Sequence, residues 1–286
     1  MEILLLLFFP LITNSQIVYK GHIINKATKQ KVPFATAGLI KDNTGTNADQ
    51  DGDFSLTAGK FKSDTLIISC VGYEPSKFPV DNLPSNMKFE ISERQIPLSN
   101  IIVKSSYKSS YTLNDYGNCG INSYTSSGSI TQIAQHLQAP MANALLSEIY
   151  ICKQSDNSLF RIRVYDMDSI TGKPSNDLAD TVIEVRSGNR HVQVNLEKYN
   201  IIIPGKDFFA GIEWLYIPSN ESTLKMKMNG QAIRRPQYSP FIFLKIRKTD
   251  HDFDENALGS WQLDYRGKWI RSFQDWVFLI SAKVKY

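Results

Sequence analysis

Gly45-Thr46-Asn47-Ala48-Asp49-Gln50-Asp51-Gly52-Asp53-Phe54-Ser55-Leu56 sets an acidic, glycine-containing turn between two short runs that read as strands. Asp and Asn side chains bond to their own backbone in turns, and Gly52 is free to take the positive φ that a hairpin requires. Outward from this turn, residues 17–24 alternate, residues 33–40 follow a Lys-rich turn, and residues 65–71 are nearly all apolar, as a central strand would be. Residues 87–91 and 100–103 close the set. Short strands parted by turn residues at intervals of about ten are the pattern of a small β-sandwich.

The same residues carry a resemblance. Gly21, Thr28, Val32-Pro33-Phe34-Ala35, the turn from Gly45 to Leu56, Leu66-Ile67-Ile68-Ser69-Cys70-Val71-Gly72-Tyr73 and Pro97-Leu98 together resemble the carboxypeptidase-like regulatory domain. The resemblance implies a transthyretin-like seven-stranded β-sandwich over residues 17–103. It implies no peptidase activity, because the name refers to a non-catalytic accessory of some carboxypeptidases. In Bacteroidetes such a module begins many outer-membrane receptors and exported proteins. Asn47 stands where the family usually carries a small hydroxyl or Thr, a minor departure.

Related receptors continue into a plug and a large barrel. Residues 104–286 are too few for one and show no series of lipid-facing strands bounded by aromatic girdles, so a TonB-dependent receptor is not expected. Residues 104–127, rich in Ser, Tyr, Asn and Gly, read as a linker. Residues 128–286 read as a jelly-roll-like antiparallel sandwich, with strands over 143–152, 159–165, 181–185, 191–196, 208–217, 241–246 and 276–284. The runs at 160–165, 171–174, 192–201 and 208–214 are similar to an uncharacterised sandwich that follows such regulatory modules in exported Bacteroidetes proteins.

The chain has 286 residues, 42% hydrophobic and 21% charged, with 15 Phe, 13 Tyr and 4 Trp, which favours two β-rich globular domains over disorder. Residues 3–12 are wholly apolar and read as part of a signal peptide over residues 1–16. Ten residues of helix span about 15 Å, half a bilayer core, so no transmembrane segment is expected in the mature chain. The periplasm or the periplasmic face of the outer membrane is the expected location, with the cell surface as the alternative. The 32 Lys and Arg exceed the 28 Asp and Glu by four. The local groups Lys225 with Lys227 and Arg234 with Arg235 read as solvated faces or as contacts for an acidic glycan or lipid head group. Nucleic-acid binding has no motif behind it. Of the three cysteines, Cys119 and Cys152 are the better disulfide pair, and Cys70 reads as a small buried hydrophobe.

None of the four histidines, His22, His136, His191 and His251, begins an HxxE or HExxH motif, and GxSxG, P-loop and GxGxxG patterns are missing. No metal, cofactor or catalytic residue is therefore assigned. Asp49, Asp51 and Asp53, and the group His251, Asp252, Asp254 and Glu255, read as turn and loop residues before calcium ligands. Glu213 is the residue of most interest. Strand alternation sets it with Phe209, Gly211 and Leu215, where a lone carboxylate is costly, and Arg161 and Arg163 are natural partners for a structural ion pair. Trp261, Tyr265, Trp269 and Trp276 offer flat faces to a sugar ring or to the core. The leading expectation is a non-catalytic exported binding or assembly protein with an envelope protein or glycan as partner. The alternative is a carbohydrate-binding protein or glycan-active enzyme with its site at Glu213 or the Trp-rich segment.

Overall fold

The computed structural model describes residues 17–58, 63–94, 107–228, 231–246, 259–272 and 276–286. The signal-peptide reading, the strand at 100–103 and the acidic group at 251–255 lie outside these residues. The first strands are β1 (Ile17–Asn25), β2 (Thr36–Leu39), β3 (Thr44–Asn47), β4 (Asp53–Ala58), β5 (Thr65–Ser69), β6 (Ser76–Pro79) and β7 (Lys88–Ile91). They form two sheets, ordered β4-β1-β7 and β3-β2-β5-β6, the seven strands of the expected sandwich. Phe54 and Leu56 of β4 alternate inward to meet Ile23, Leu39, Leu66, Ile68 and Phe89, while Asp53 and Ser55 face out. β7 runs parallel to β1, and every other named pair is antiparallel.

The acidic turn differs from expectation. β3 pairs with β2 and β4 with β1, so residues 49–52 carry the chain from one sheet to the other and close no hairpin. Asp49 Oδ1 accepts the backbone N–H groups of Asp51 and Asp53, and Gly52 takes φ +75° with its carbonyl accepting from Ile23 N–H. Asp51 pairs with Lys31 and Asp53 with His22, so all three carboxylates of the turn have protein partners.

The second domain contains β8 (Ser110–Leu113), β9 (Asn122–Ser126), β10 (Ile130–Gln138), β11 (Ala144–Cys152), β12 (Ser158–Met167), β13 (Pro174–Asp177), β14 (Ile183–Ser187), β15 (His191–Asn195) and β16 (Ile202–Ile203). It continues with β17 (Asp207–Trp214), β18 (Glu221–Met228), β19 (Gln231–Ile246), β20 (Ser260–Asp264), β21 (Trp269–Arg271), β22 (Trp276–Phe278) and β23 (Ile280–Lys285). A large sheet runs β13-β12-β17-β10-β20-β21 with β14 also on β12, and it faces a sheet ordered β15-β11-β23-β8 across one core. A third sheet, β18-β19-β22 with β9, joins one end. Part of the stretch read as a linker is built into this domain: β8 pairs with β23, and β9 with β19. Short strands of Ser, Thr, Asn and Tyr at sheet edges have no apolar face to alternate, which is why their periodicity is weak.

β17 is apolar on both faces for a structural reason. Phe208, Ala210, Ile212 and Trp214 enter the domain core, while Phe209, Gly211 and Glu213 face the opposite way and are also buried. The first domain's β3-β2-β5-β6 sheet lies against the Glu213 end of that outer face, and Phe209 at the other end joins Ala134 and Tyr165 of the neighbouring strands in a patch flanked by Trp261 and Trp269. Among the described residues no helix is long and apolar enough to cross a membrane.

His136 sits in this patch against Phe209, with Nε2 3.0 Å from Asp207 Oδ1. Burial holds its imidazole below the ordinary value of 6.5, against the pull of Asp207. Folding thus favours the neutral ring, and the unfolded chain takes up the proton first as pH falls through 6.5. The expected result is a loss of stability on acidification from that point, at no more than about 1.4 kcal/mol per pH unit for one proton. Urea unfolding of the wild type and His136→Gln across this range checks it, the difference between their slopes being the contribution of the ring.

Candidate functional site: the charged seam between the sandwiches

Cross-strand register builds the seam. Glu184 on β14, Arg161 on β12, Glu213 on β17 and Gln132 on β10 are successive partners in one row across the large sheet. Arg161 is fully buried. Its Nε and Nη2 donate to Glu184 Oε1 at 3.2 Å, and Nη1 lies 3.6 Å from Glu213 Oε1. Arg163, two residues on, donates from Nη1 to Glu213 Oε2 and from Nη2 to Asp177 Oδ2, both at 2.7 Å. Glu213 is thereby held by both arginines named from the sequence. Burial pushes the Asp177 carboxyl above its ordinary range, against the pull of Arg163.

Arg161 also crosses to the first domain. Nη1 donates to Phe34 O at 3.2 Å and Nη2 to Pro33 O at 3.3 Å. Phe34 has φ +55°, in the left-handed region that bulky residues seldom enter, and its ring packs with Leu159, Leu215 and Ile217 of the second domain. Asn47 lies beside it. Its Nδ2 donates to Phe34 O and Thr36 Oγ1, each at 3.1 Å, and its Oδ1 accepts Tyr216 N–H at 2.8 Å. The small departure from the family pattern at position 47 is thus a bond between domains that a shorter hydroxyl side chain reaches less far to make.

Tyr265 supplies the packing. Gly38 and Gly45 are direct cross-strand partners on β2 and β3, and a Cβ at either would lie 2.9 or 2.3 Å from the Tyr265 side chain. The paired glycines are a flat seat for one aromatic ring. Beside it lies a cavity of about 230 Å³ lined by Ile67, Cys70, Tyr73, Arg163, Tyr165 and Trp269. Tyr165 donates to Gln132 Oε1 at 2.5 Å and meets the Trp269 ring edge-on at 5.3 Å. Arg163 Nε is buried with no acceptor among the described residues. Burial raises the Cys70 thiol, so it stays protonated there and is a poor nucleophile.

The aromatic residues singled out from the sequence are therefore divided. Trp269 lines the cavity, Trp261 flanks the same face near Phe209, and Tyr265 is locked in the seam. Trp276 lies apart on β22, edge-on to Tyr124 at 5.5 Å. Cys119 and Cys152 form a disulfide with Cα atoms 5.7 Å apart, well away from the seam. Sequence reasoning missed Asn47, Asp177, Glu184 and the Gly38–Gly45 seat. Asp177 and Glu184 lie in short polar strands, and a glycine pair becomes visible only when register is known.

Glu213→Ala removes an acceptor from two buried guanidiniums that keep Glu184 and Asp177, so it is expected to lower stability by about 1–3 kcal/mol. Asn47→Ala strands a buried N–H and is expected to lose about 1–3 kcal/mol, while Gly45→Ala forces the Tyr265 ring away at a similar cost. Urea unfolding measures all three. The seam account requires Asn47→Ala and Gly45→Ala to loosen both sandwiches, and an effect confined to the first domain would contradict it.

The family of CarboxypepD_reg-like domains matches residues 19–122. No curated protein matches the chain. Among solved structures, the major pilin subunit BcpA of Bacillus cereus aligns over 95% of this chain and 95% of its own at 12% identity, with a TM-score of 0.19. The Gt strain of infectious bursal disease virus aligns over 94% of this chain and 63% of its own at 10% identity, with a TM-score of 0.22. Overlaps that low carry no argument. The family match takes in the first sandwich and runs on through β8 to the start of β9, and it leaves the rest of the second sandwich uncovered.

Proposed function

We propose that this protein is a non-catalytic exported binding or assembly protein of the cell envelope. The observation that carries the reading is the state of Glu213. Glu213 lines the cavity, yet its side chain is almost wholly buried and both carboxylate oxygens are engaged by guanidiniums, the geometry of a structural ion pair. Its arginine partner Arg161 in turn binds two carbonyls of the first domain, so the charge network serves to fix one sandwich on the other. A regulatory-type module held against a second sandwich by these bonds suits an assembly component.

One observation favours a second reading. The cavity beside the seam has an aromatic wall of Trp269, Tyr165 and Tyr73 next to Arg163 and Arg94, the mixture of flat faces and donors that suits a sugar. The two readings separate in one experiment. Tagged wild-type and Trp269→Ala proteins are used to recover partners from cross-linked, gently solubilised envelopes, and both are screened on glycans. Recovery of the same envelope protein by both forms is the expected outcome. Failure of both forms to recover a specific partner, together with glycan binding that Trp269→Ala abolishes, would replace the assembly reading with the carbohydrate one.

A further inference from the structure

β19 is sixteen residues long, and its two halves have different surroundings. From Tyr238 onward it pairs with β9 and then β22 and lies in the body of the domain. Before that point it pairs with β18 alone, from Ser222↔Gln237 to Met228↔Gln231, so residues 222–228 and 231–237 form a two-stranded arm. The arm carries Lys225, Lys227, Arg234 and Arg235, all exposed, and no Asp or Glu. Among the described residues none of these four cations forms an ion pair. The whole chain has 32 bases against 28 acids, an excess of four, and the arm holds four bases. Elsewhere bases and acids are equal in number, so the charge of +4 on the arm equals the net excess of the whole chain.

Register assigns the faces. Lys225 is directly opposite Arg234, and Lys227 opposite Ala232, on one face. Leu224 is opposite Arg235 on the other, where Ile233 also lies, and Leu224 and Ile233 are half-buried. Cations therefore occur on both faces, with apolar side chains between them. A rigid acidic protein patch meets one face of such an arm. A layer of anionic head groups over hydrocarbon meets both once the arm enters it edge-on, pairing the cations with phosphates while the apolar side chains reach the boundary.

We propose that the β18–β19 arm docks on the surface of a bilayer containing anionic phospholipid. The proposal rests on the envelope reading above and gives that reading a surface. Two lysines on an edge strand also discourage unwanted strand pairing. That role alone asks nothing of a phosphate surface, so the two accounts part on lipid binding.

The test is co-sedimentation of the full chain with vesicles of phosphatidylcholine alone or mixed in equal parts with phosphatidylglycerol. Binding to the mixed vesicles only, weakened by added salt, is expected. Lys225→Gln with Lys227→Gln should weaken it by about 30-fold, Arg234→Gln with Arg235→Gln similarly, and Leu224→Ser by a smaller factor. These positions lie outside the core, and thermal unfolding of each variant verifies the fold. Unchanged affinity in both double variants overturns the proposal, as does aggregation of the variants with undiminished lipid binding, which leaves the lysines as edge guards. Binding to polyglutamate that excludes vesicles overturns it in favour of an acidic protein partner. Failure on vesicles alongside recovery of an envelope protein in the pull-down removes the arm assignment and leaves the assembly reading intact.

Discussion

The contact of Arg161 with Glu213 is the point on which the two-domain structure depends. Desolvating a guanidinium and a carboxylate is unfavourable by several kcal/mol each unless their remaining hydrogen-bond positions are filled. Here they are filled from both sides of the seam: Glu184 and Arg163 from the large sheet, and the Pro33 and Phe34 carbonyls from the first domain. Separation of the sandwiches returns Arg161 and Glu213 to water but exposes Phe34, Leu159, Leu215 and Ile217 together with them. Hydrophobic burial thus favours association, and the polar row fixes which register of association is accepted.

The shape of the first domain follows from the same constraint. A transthyretin-like sandwich standing alone leaves the outer face of its four-stranded sheet in water. In this chain Gly38, Gly45 and Asn47 on that face provide a flat seat and a directed amide. Thr36 and Ile67 line the cavity that remains where the two surfaces do not fill the space between them. The cavity lies between the two joined sheets, and part of its polar lining is Arg163 and Glu213 of the seam.

Much of this was legible beforehand. The alternation of β4, the apolar run at β5 and the motif around Gly52 identify the first sandwich, and the face assignment of Glu213 points to Arg161 and Arg163, both of which lie within 4 Å of its carboxylate. What escaped is what depends on pairing. The turn at residues 49–52 has hairpin chemistry, yet its flanking strands join different sheets. β8 and β9 have too few apolar residues to announce themselves, and the arm of β18 and β19 contains Pro236, which argues against a strand until one sees that the segment lies outside the body of the sheet. The Trp-rich segment looked like one cluster because its residues are near in sequence, whereas strand reversal sends Trp276 to a different sheet from Trp261 and Trp269.

The entry into the second domain has a mechanical meaning. β8 is antiparallel to β23 with Ser110 opposite Lys285, and Lys108 and Ser109 donate their N–H groups to Tyr286 O. A pull applied between the first domain and the Tyr286 end, once the seam has parted, acts at the shared end of this strand pair and opens its bonds one after another, the mode in which a ladder resists least. Behind β8 the Cys119–Cys152 bridge ties the chain to β11, which lies between β15 and β23. Peeling therefore halts at a covalent stop, and the load passes to the middle of the sheet, where several strands share it. The disulfide sets how far the chain can pay out under tension before the second sandwich itself bears the force.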